Sequence, residues 1–558
     1  MQIVIPMSGF GERFRRAGYA LPKPLIEIDG KPIIAHIIDM FPGEQNFTFI
    51  CNRDHLAEPS YCMEETIRRY CPAARVVGID AHKLGPMHAV LQIADLIDPQ
   101  QPVLVNYADF TCYWDWAYFR KFVKQSRCDG AIPAYRGFHP HSLGTTNYAY
   151  MREENGWVLD IQEKQPYTEN RMAEYASSGT YYFASGRLML EAFSATKTQD
   201  LNVGGEYYVS LAYKHMLAAG RRVLVFDLQH FLQWGTPEDV DEYRMWSDAF
   251  RRLIDPVYAH APAVRGSVLI PMAGLGERFA REGYAVTKPL IPVSGKPMVV
   301  QATDDLPVAD RYVFVLRRDM PGLQEIENSL QELFPRTSCV VLDGPTDGQA
   351  CTALMGWRAA LQGSEDAGWL TIAACDNGAL YRPECLQALM DDPKTDMVVW
   401  VTRGYPNAMR HPNMYGWVAC DAGSDRVSRV SVKKPLTDPR CDLIIIGTFS
   451  FRLGSDFARV TERMIARGAR VNGEFYIDTC IEDALALDLN VRILEVETYL
   501  CWGTPNDLRT YEYWQSCFSK WEGHPYSLEQ DLNVSKSALS LLKQRYASTV
   551  AALPGELH

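Results

Sequence analysis

Two glycine-rich stretches hold the residues best suited to chemistry: 7–25, MSGFGERFRRAGYALPKPL, and 272–290, MAGLGERFAREGYAVTKPL. Each follows a short apolar run, IVIP at 3–6 and VLIP at 268–271. An apolar run, a glycine-rich bend and a basic amphipathic segment predict a strand, a phosphate-cradling loop and a helix. The cradle comprises Met7, Ser8, Gly9, Phe10 and Gly11 in the first stretch. Met272, Ala273, Gly274, Leu275 and Gly276 form it in the second. The glycines let backbone N–H groups turn toward phosphate oxygens where a side chain would obstruct them. Arg13 and Lys23, with Arg278 and Lys288, add charge-assisted hydrogen bonds to the same oxygens. Glycines after a strand often only make a turn. Two copies with Arg, Lys-Pro and a later Gly-Lys-Pro in register point to phosphate binding.

The spacing of the copies sets the architecture. Lys23 and Lys288 lie about 265 positions apart, and Trp234 and Trp502 about 268, so a domain of about 250 residues is duplicated. The expected boundaries are 1–250 for the first domain, 251–265 for a connector, 266–518 for the second domain and 519–558 for a helical tail. The connector holds Pro256 and Pro262. The tail contains a helix-like stretch at 534–549, suited to packing against the body or a second subunit.

Within a copy, strand and helix patterns alternate: strands at 2–6, 47–52, 75–79 and 103–107, helices at 31–39, 63–70 and 86–97. This order predicts an α/β fold, Rossmann-like, with a mostly parallel sheet and helices on both faces. Ligands then sit at the carboxyl ends of the strands, where the glycine loop and Asp109, or Asp376, would fall.

With 558 residues, 47% hydrophobic and 22% charged, the chain suits a globular protein of two or three domains. A net charge of −12 argues against general nucleic-acid binding, while a local Arg/Lys cluster still suits an anionic nucleotide. No apolar run reaches the roughly 18 residues of a membrane span. The start has no basic leader segment, and the 14 cysteines show no CxxC pair or zinc spacing. These features predict a reduced, cytoplasmic protein without membrane insertion.

The G-x-G-x-R loop with its P-K-P (or T-K-P) segment resembles the sugar-phosphate nucleotidyltransferases, in both copies. That resemblance implies transfer of a nucleoside monophosphate to a sugar phosphate with release of pyrophosphate, for capsule or other surface-glycan precursors. It implies Mg²⁺ as cofactor. Arg13 and Lys23, with Arg278 and Lys288, would hold the triphosphate and the departing pyrophosphate. Gly85 and Gly348, in KLGPMH and TDGQAC, would lie near the base. Asp109 and Asp376 each end an apolar run; they either cap a turn or ligate Mg²⁺, and the resemblance implies the latter.

Lys164 in DIQEKQP resembles the family lysine that contacts the acceptor phosphate, and Lys434 in VKKP is expected to be its counterpart. Gly179, Glu206, Gly447 and Glu474 would line the acceptor pocket. The family commonly places a second metal-binding Asp where this chain has Gln233 and Cys501. Neither is expected to ligate Mg²⁺. Asp109 and Asp376 would then act with water, or with Glu206 and Glu474, or turnover would be weak. His88, His139 and His141 have no role in this scheme.

Other functions compete. A cytidylyltransferase activating a phospho-alcohol or amino-alcohol would carry the same loop with a smaller, more aromatic acceptor pocket. A glycosyltransferase would show a D-x-D motif, which Asp109-Phe110-Thr111 and Asp376-Asn377-Gly378 do not supply. A duplicated nucleotide-sensing regulator would bind without turnover.

Overall fold

A computed structural model describes residues 1–547 apart from 146, 260, 335 and 364–367. The described chain divides into two compact units, residues 1–247 with residue 547, and residues 248–546. Each unit is α/β.

In the first unit, strands Arg75–Ile79, Phe47–Asn52, Gln2–Met7 and Val103–Asn106 lie side by side and parallel, with Ile3 opposite Phe47 and Val4 opposite Val105. Every residue of Gln2–Met7 and Phe47–Asn52 is buried. Strands covered on both faces need continuous apolar runs, which explains IVIP and FTFIC. The core beneath them gathers Val4, Ile50, Val105, Ile132, Phe183 and Tyr213.

Beyond Val103–Asn106 the sheet becomes mixed. Thr180–Phe183 runs antiparallel between Val103–Asn106 and Gly130–Tyr135, and Val223–Asp227 pairs parallel to Gly130–Tyr135. The hairpin Ala149–Glu154 and Trp157–Glu163 turns on Asn155 and Gly156, at φ 51° and 80°. Two positive φ values in a two-residue loop match strand twist, and Asn-Gly tolerates them. The parallel order expected from strand–helix alternation thus holds for the glycine-loop half, and antiparallel strands complete the sheet.

The second unit repeats the plan. Thr337–Leu342, Val308–Arg317, Ala263–Pro271 and Trp369–Ile372 are parallel, and Leu443–Phe451 runs antiparallel beside the last. In each unit a two-stranded ribbon stands next to the site: Phe110–Tyr113 with His230–Gln233, and Asn377–Leu380 with Thr498–Cys501.

Among the described residues the tail is helical over Leu539–Arg545, where 534–549 was expected, and residues 548–549 lie outside the described residues. It packs within the second unit: Arg545 forms a two-pronged ion pair with Glu512, and the Tyr546 hydroxyl donates to Gln515. No helix among the described residues is long and apolar enough to cross a membrane.

Candidate functional site

Strand Gln2–Met7 delivers the chain to the glycine loop, where Gly11 (φ 63°) precedes a short helix, Glu12–Arg16. Gly276 (φ 65°) does the same before Glu277–Arg281. That left-handed backbone explains glycine at both positions. A cavity of about 570 Å³ opens over the first loop, lined by Met7, Ser8, Gly9, Phe10, Gly11, Arg13, Lys23, Gly85 and Asp109. A second, of about 230 Å³, is lined by Lys164, Gly179, Tyr148, Tyr181 and Phe231. Arg13, Tyr107, Asp109, Tyr208 and Gly235 line both, so the two cavities meet there.

Asp109 and Lys23 form an ion pair of 3.1 Å, and Asp376 and Lys288 form the same pair. The residues read as metal ligand and phosphate cation therefore stand in direct contact in both units. Burial lowers the Lys288 pKa, but Asp376, helped by Cys375 and Cys501, more than offsets it and holds the ammonium above its usual range.

Gly85 and Gly348 line up behind a backbone contact. Tyr207 N–H donates to Leu84 and its carbonyl accepts from Met87 N–H; Phe475 pairs likewise with Asp347 and Ala350. A Cβ on Gly85 would come within 2.7 Å of Tyr207 backbone atoms, and one on Gly348 within 2.6 Å of Phe475, at φ of 130°. These glycines let the Glu206 and Glu474 segments lie against the loops that carry Gly85 and Gly348. Gly348→Ala should lower the stability of the protein by about 1–3 kcal/mol, read by chemical denaturation.

Lys164 sits at φ 59° at the end of the hairpin, its N–H donating to the Tyr148 carbonyl at 2.8 Å. Its ammonium bonds the Tyr208 hydroxyl, which in turn donates to Glu206. Tyr208 therefore links two expected acceptor residues, a role its place in the sequence does not disclose. In the second unit the residue with this geometry is Lys433, not Lys434. Lys433 has φ 63°, its N–H donates to the Tyr415 carbonyl at 2.9 Å, and its ammonium lies over Tyr476 as Lys164 lies over Tyr208. Lys434 is exposed. The paired lysines in VKKP leave room for a one-residue shift, and the strand register agrees with the spacing to the proline in matching Lys433 to Lys164.

Glu163, beside Lys164, accepts from Ser210 at 2.5 Å. Burial pushes its carboxyl up to about 7, from an ordinary value of 4.5. Between pH 4.5 and 7 the folded protein keeps a proton that the unfolded chain has released, so stability falls as pH rises through that window. Glu163→Gln should remove this part of the fall, seen as a flatter profile of unfolding free energy against pH.

Whether the residues suit Mg²⁺ depends on the unit. Gln233 Nε2 donates to Asp239 at 2.9 Å, which leaves the Gln233 carbonyl oxygen buried without a hydrogen-bond partner. Gln233 and Asp109 flank Gly235, where an added Cβ would stand 3.3 Å from Gln233 Nε2 and 3.6 Å from the Asp109 carboxylate. The Asp109 carboxylate is a hard ligand that fits Mg²⁺ alongside substrate phosphates. In the second unit Cys501 holds that place, and burial keeps its thiol protonated, well above its usual range. A neutral thiol is a poor partner for Mg²⁺, so Asp376 stands alone there. Among the described residues no cluster of three or more His, Cys, Asp or Glu could hold a metal. Glu206 is engaged by Tyr208. His139 and His141 pack on Tyr135.

Comparison with known proteins gives the two halves different matches. Residues 3–248 match the Nucleotidyl transferase family, and residues 268–430 match the MobA-like NTP transferase domain. The bifunctional protein GlmU of Paraburkholderia xenovorans is 29% identical over 239 residues, 42% of this chain and 48% of that relative. The chain thus spans about half the length of the curated relatives it matches. Solved structures with similar chains include a nucleoside-diphosphate-sugar pyrophosphorylase from Vibrio cholerae, 19% identical, covering 44% of this chain and 98% of that one at a TM-score of 0.37. Another is the inositol-1-phosphate CTP transferase from T. maritima, 14% identical, covering 46% of this chain and 96% of that one, at a TM-score of 0.34.

Proposed function

We propose that this chain, which carries two nucleotidyltransferase-family domains in tandem, transfers a nucleoside monophosphate from a nucleoside triphosphate to a phosphorylated acceptor, a sugar 1-phosphate above all. The observation that carries this reading is the meeting of the two cavities at Arg13, Asp109 and Tyr208. A triphosphate in the larger cavity and a phosphate on Lys164 in the smaller would bring their reacting atoms to that junction.

The acceptor phosphate is already an anionic nucleophile, so no Ser, His or Cys and no general base is needed. Its oxygen forms a bond to the α-phosphorus as the bond to the pyrophosphate oxygen breaks. The loop N–H groups, Arg13 and Lys23 hold the triphosphate and offset charge on the departing pyrophosphate, and Lys164 holds the acceptor. Mg²⁺ held by Asp109 would add charge neutralisation on the phosphates. Domains at 1–250 and 266–518, a cytoplasmic setting, self-association through the tail and supply of surface-glycan precursors belong to the same proposal. So does bifunctionality, which the two different family matches favour.

A second reading rests on the smaller cavity. Its walls of Tyr107, Tyr148, Tyr181, Tyr208 and Phe231 suit a compact phospho-alcohol or amino-alcohol activated by CTP. One experiment addresses both. Pyrophosphate release is measured on the whole chain, on Asp109→Ala and on Asp376→Ala, pairing each nucleoside triphosphate with sugar phosphates and phospho-alcohols. Loss of a distinct substrate pair in each variant supports two transferases in one chain. Nucleotide binding without any release would leave a nucleotide-sensing protein instead.

A further inference from the structure

Three positions around the acceptor lysine differ in concert between the two units. With Lys164 and Lys433 equivalent, the preceding residues correspond as well: Glu163 pairs across the hairpin with Ala149, and Val432 pairs with Gly416. Two residues beyond Tyr208 and Tyr476, at the start of helices Val209–Ala218 and Ile477–Ala486, stand Ser210 and Asp478. The first unit thus has an acid on the strand, a hydroxyl on the helix and alanine between them. In the second, the strand offers valine, the helix offers the acid, and glycine lies between them.

The exchange is sterically coupled. A Cβ at position 416 would fall on the Asp478 carboxylate, so the acid on the helix requires the glycine that replaces Ala149. It is electrostatically coupled too. Lys433 is the chief charge favouring the ionised form of Asp478, and Arg278, Glu474 and Tyr476 face the same cluster. Lys164, Arg13, Glu206 and Tyr208 surround Glu163 in the same way. In the first unit this acid lines the acceptor cavity together with Lys164 and Ala149. A domain kept only as scaffold would need neither the relocated acid nor the glycine that accommodates it. Val432 with an ordinary serine and alanine would pack as well.

From this relocation we infer that the second unit has an acceptor site of its own, in which Asp478 accepts a hydroxyl or amino hydrogen of a phosphorylated acceptor whose phosphate is held by Lys433. The inference rests on the transferase reading. Because the acid comes from the helix instead of the strand, it addresses a different edge of the acceptor. The two units therefore select different phosphorylated hydroxy compounds.

The test uses the full chain in a Lys164→Ala background, which disables the first acceptor site. Pyrophosphate release is followed with glucose 1-phosphate, N-acetylglucosamine 1-phosphate and glycerol 3-phosphate as probes. Asp478→Ser is expected to raise the acceptor KM about 10-fold to 100-fold while the nucleotide KM holds within about 2-fold. The triple variant Val432→Glu, Gly416→Ala, Asp478→Ser returns the acid to the strand. It should recover acceptor use with the ranking shown by the first unit of the wild-type chain. An unchanged acceptor KM in Asp478→Ser, or an unchanged ranking in the triple variant, would overturn the assignment. If the background chain releases no pyrophosphate, the transferase reading fails for this unit. Calorimetric binding of the same probes then decides the site separately: binding lost in Asp478→Ser upholds it, and equal binding or none in the parent overturns it.

Discussion

Replacing Lys23 by methionine should reduce pyrophosphate release by the first domain by about 10²–10³ in kcat and leave release by the second unchanged. Lys288→Met should do the converse. The side chain keeps its length, so what is removed is the ammonium beside Asp109 or Asp376. That ammonium pairs with the strand-end acid beside which charge would build up on the departing pyrophosphate, and charge that develops late in a reaction gains most from a group already in place. The two variants should differ in stability. Lys288 and Asp376 have side-chain exposures of 20% and 23%, whereas Asp109 opposite Lys23 is 37% exposed. Water can take over the abandoned Asp109 carboxylate more readily than Asp376, so Lys288→Met should lower Tm further than Lys23→Met. Equal kcat values for wild type and both variants, with pyrophosphate still released, would remove Lys23 and Lys288 from the proposed chemistry.

What the sequence discloses here is what is local along the chain. The glycine loops, the strand-end acids and the lysines of PKPL and TKPL are legible because strand, bend and charge follow one another within about twenty residues. The parallel half of the sheet is legible for a similar reason, since its strands need unbroken apolar runs. The antiparallel half is carried by a weaker signal, the Asn155-Gly156 pair, which marks a two-residue hairpin between Glu154 and Trp157. The acceptor cluster is harder to read, because its members arrive from a hairpin, a loop and a helix start. Tyr208 becomes significant only when Lys164 and Glu206 are seen to share its hydroxyl. Gln233 illustrates a different limit: its residue type does not say which amide atom is engaged, and the fold sets its Nε2 on Asp239. Relocation of an acid from Glu163 to Asp478 cannot be seen by matching motifs, since neither residue has an acidic partner at the matching position.

The one-residue shift at the second acceptor lysine leads to the other large expected effect. Lys433→Ala should raise the acceptor KM of the second domain by about 10²-fold, while Lys434→Ala should leave it within about 2-fold. Spacing to the following proline favours Lys433, which stands two residues before Pro435 as Lys164 stands two residues before Pro166; Lys434 matches only by standing directly before the proline. Strand pairing favours Lys433, because Val432 lies opposite Gly416 as Glu163 lies opposite Ala149. Backbone pairing decides where a side chain points, since a slip of one residue sends it to the other face. Lys433 also carries a signature that an exposed lysine lacks. Burial lowers its pKa, and Asp478 restores the shift only in part. Acceptor binding by the second domain should therefore weaken at a lower alkaline pH than an exposed lysine would require. Lys433→Arg should move that limb upward, since a guanidinium does not deprotonate in this range. An effect confined to Lys434→Ala, with Lys433→Ala silent, would return the phosphate contact to the exposed lysine and separate the two units' acceptor sites in geometry as well as in acid.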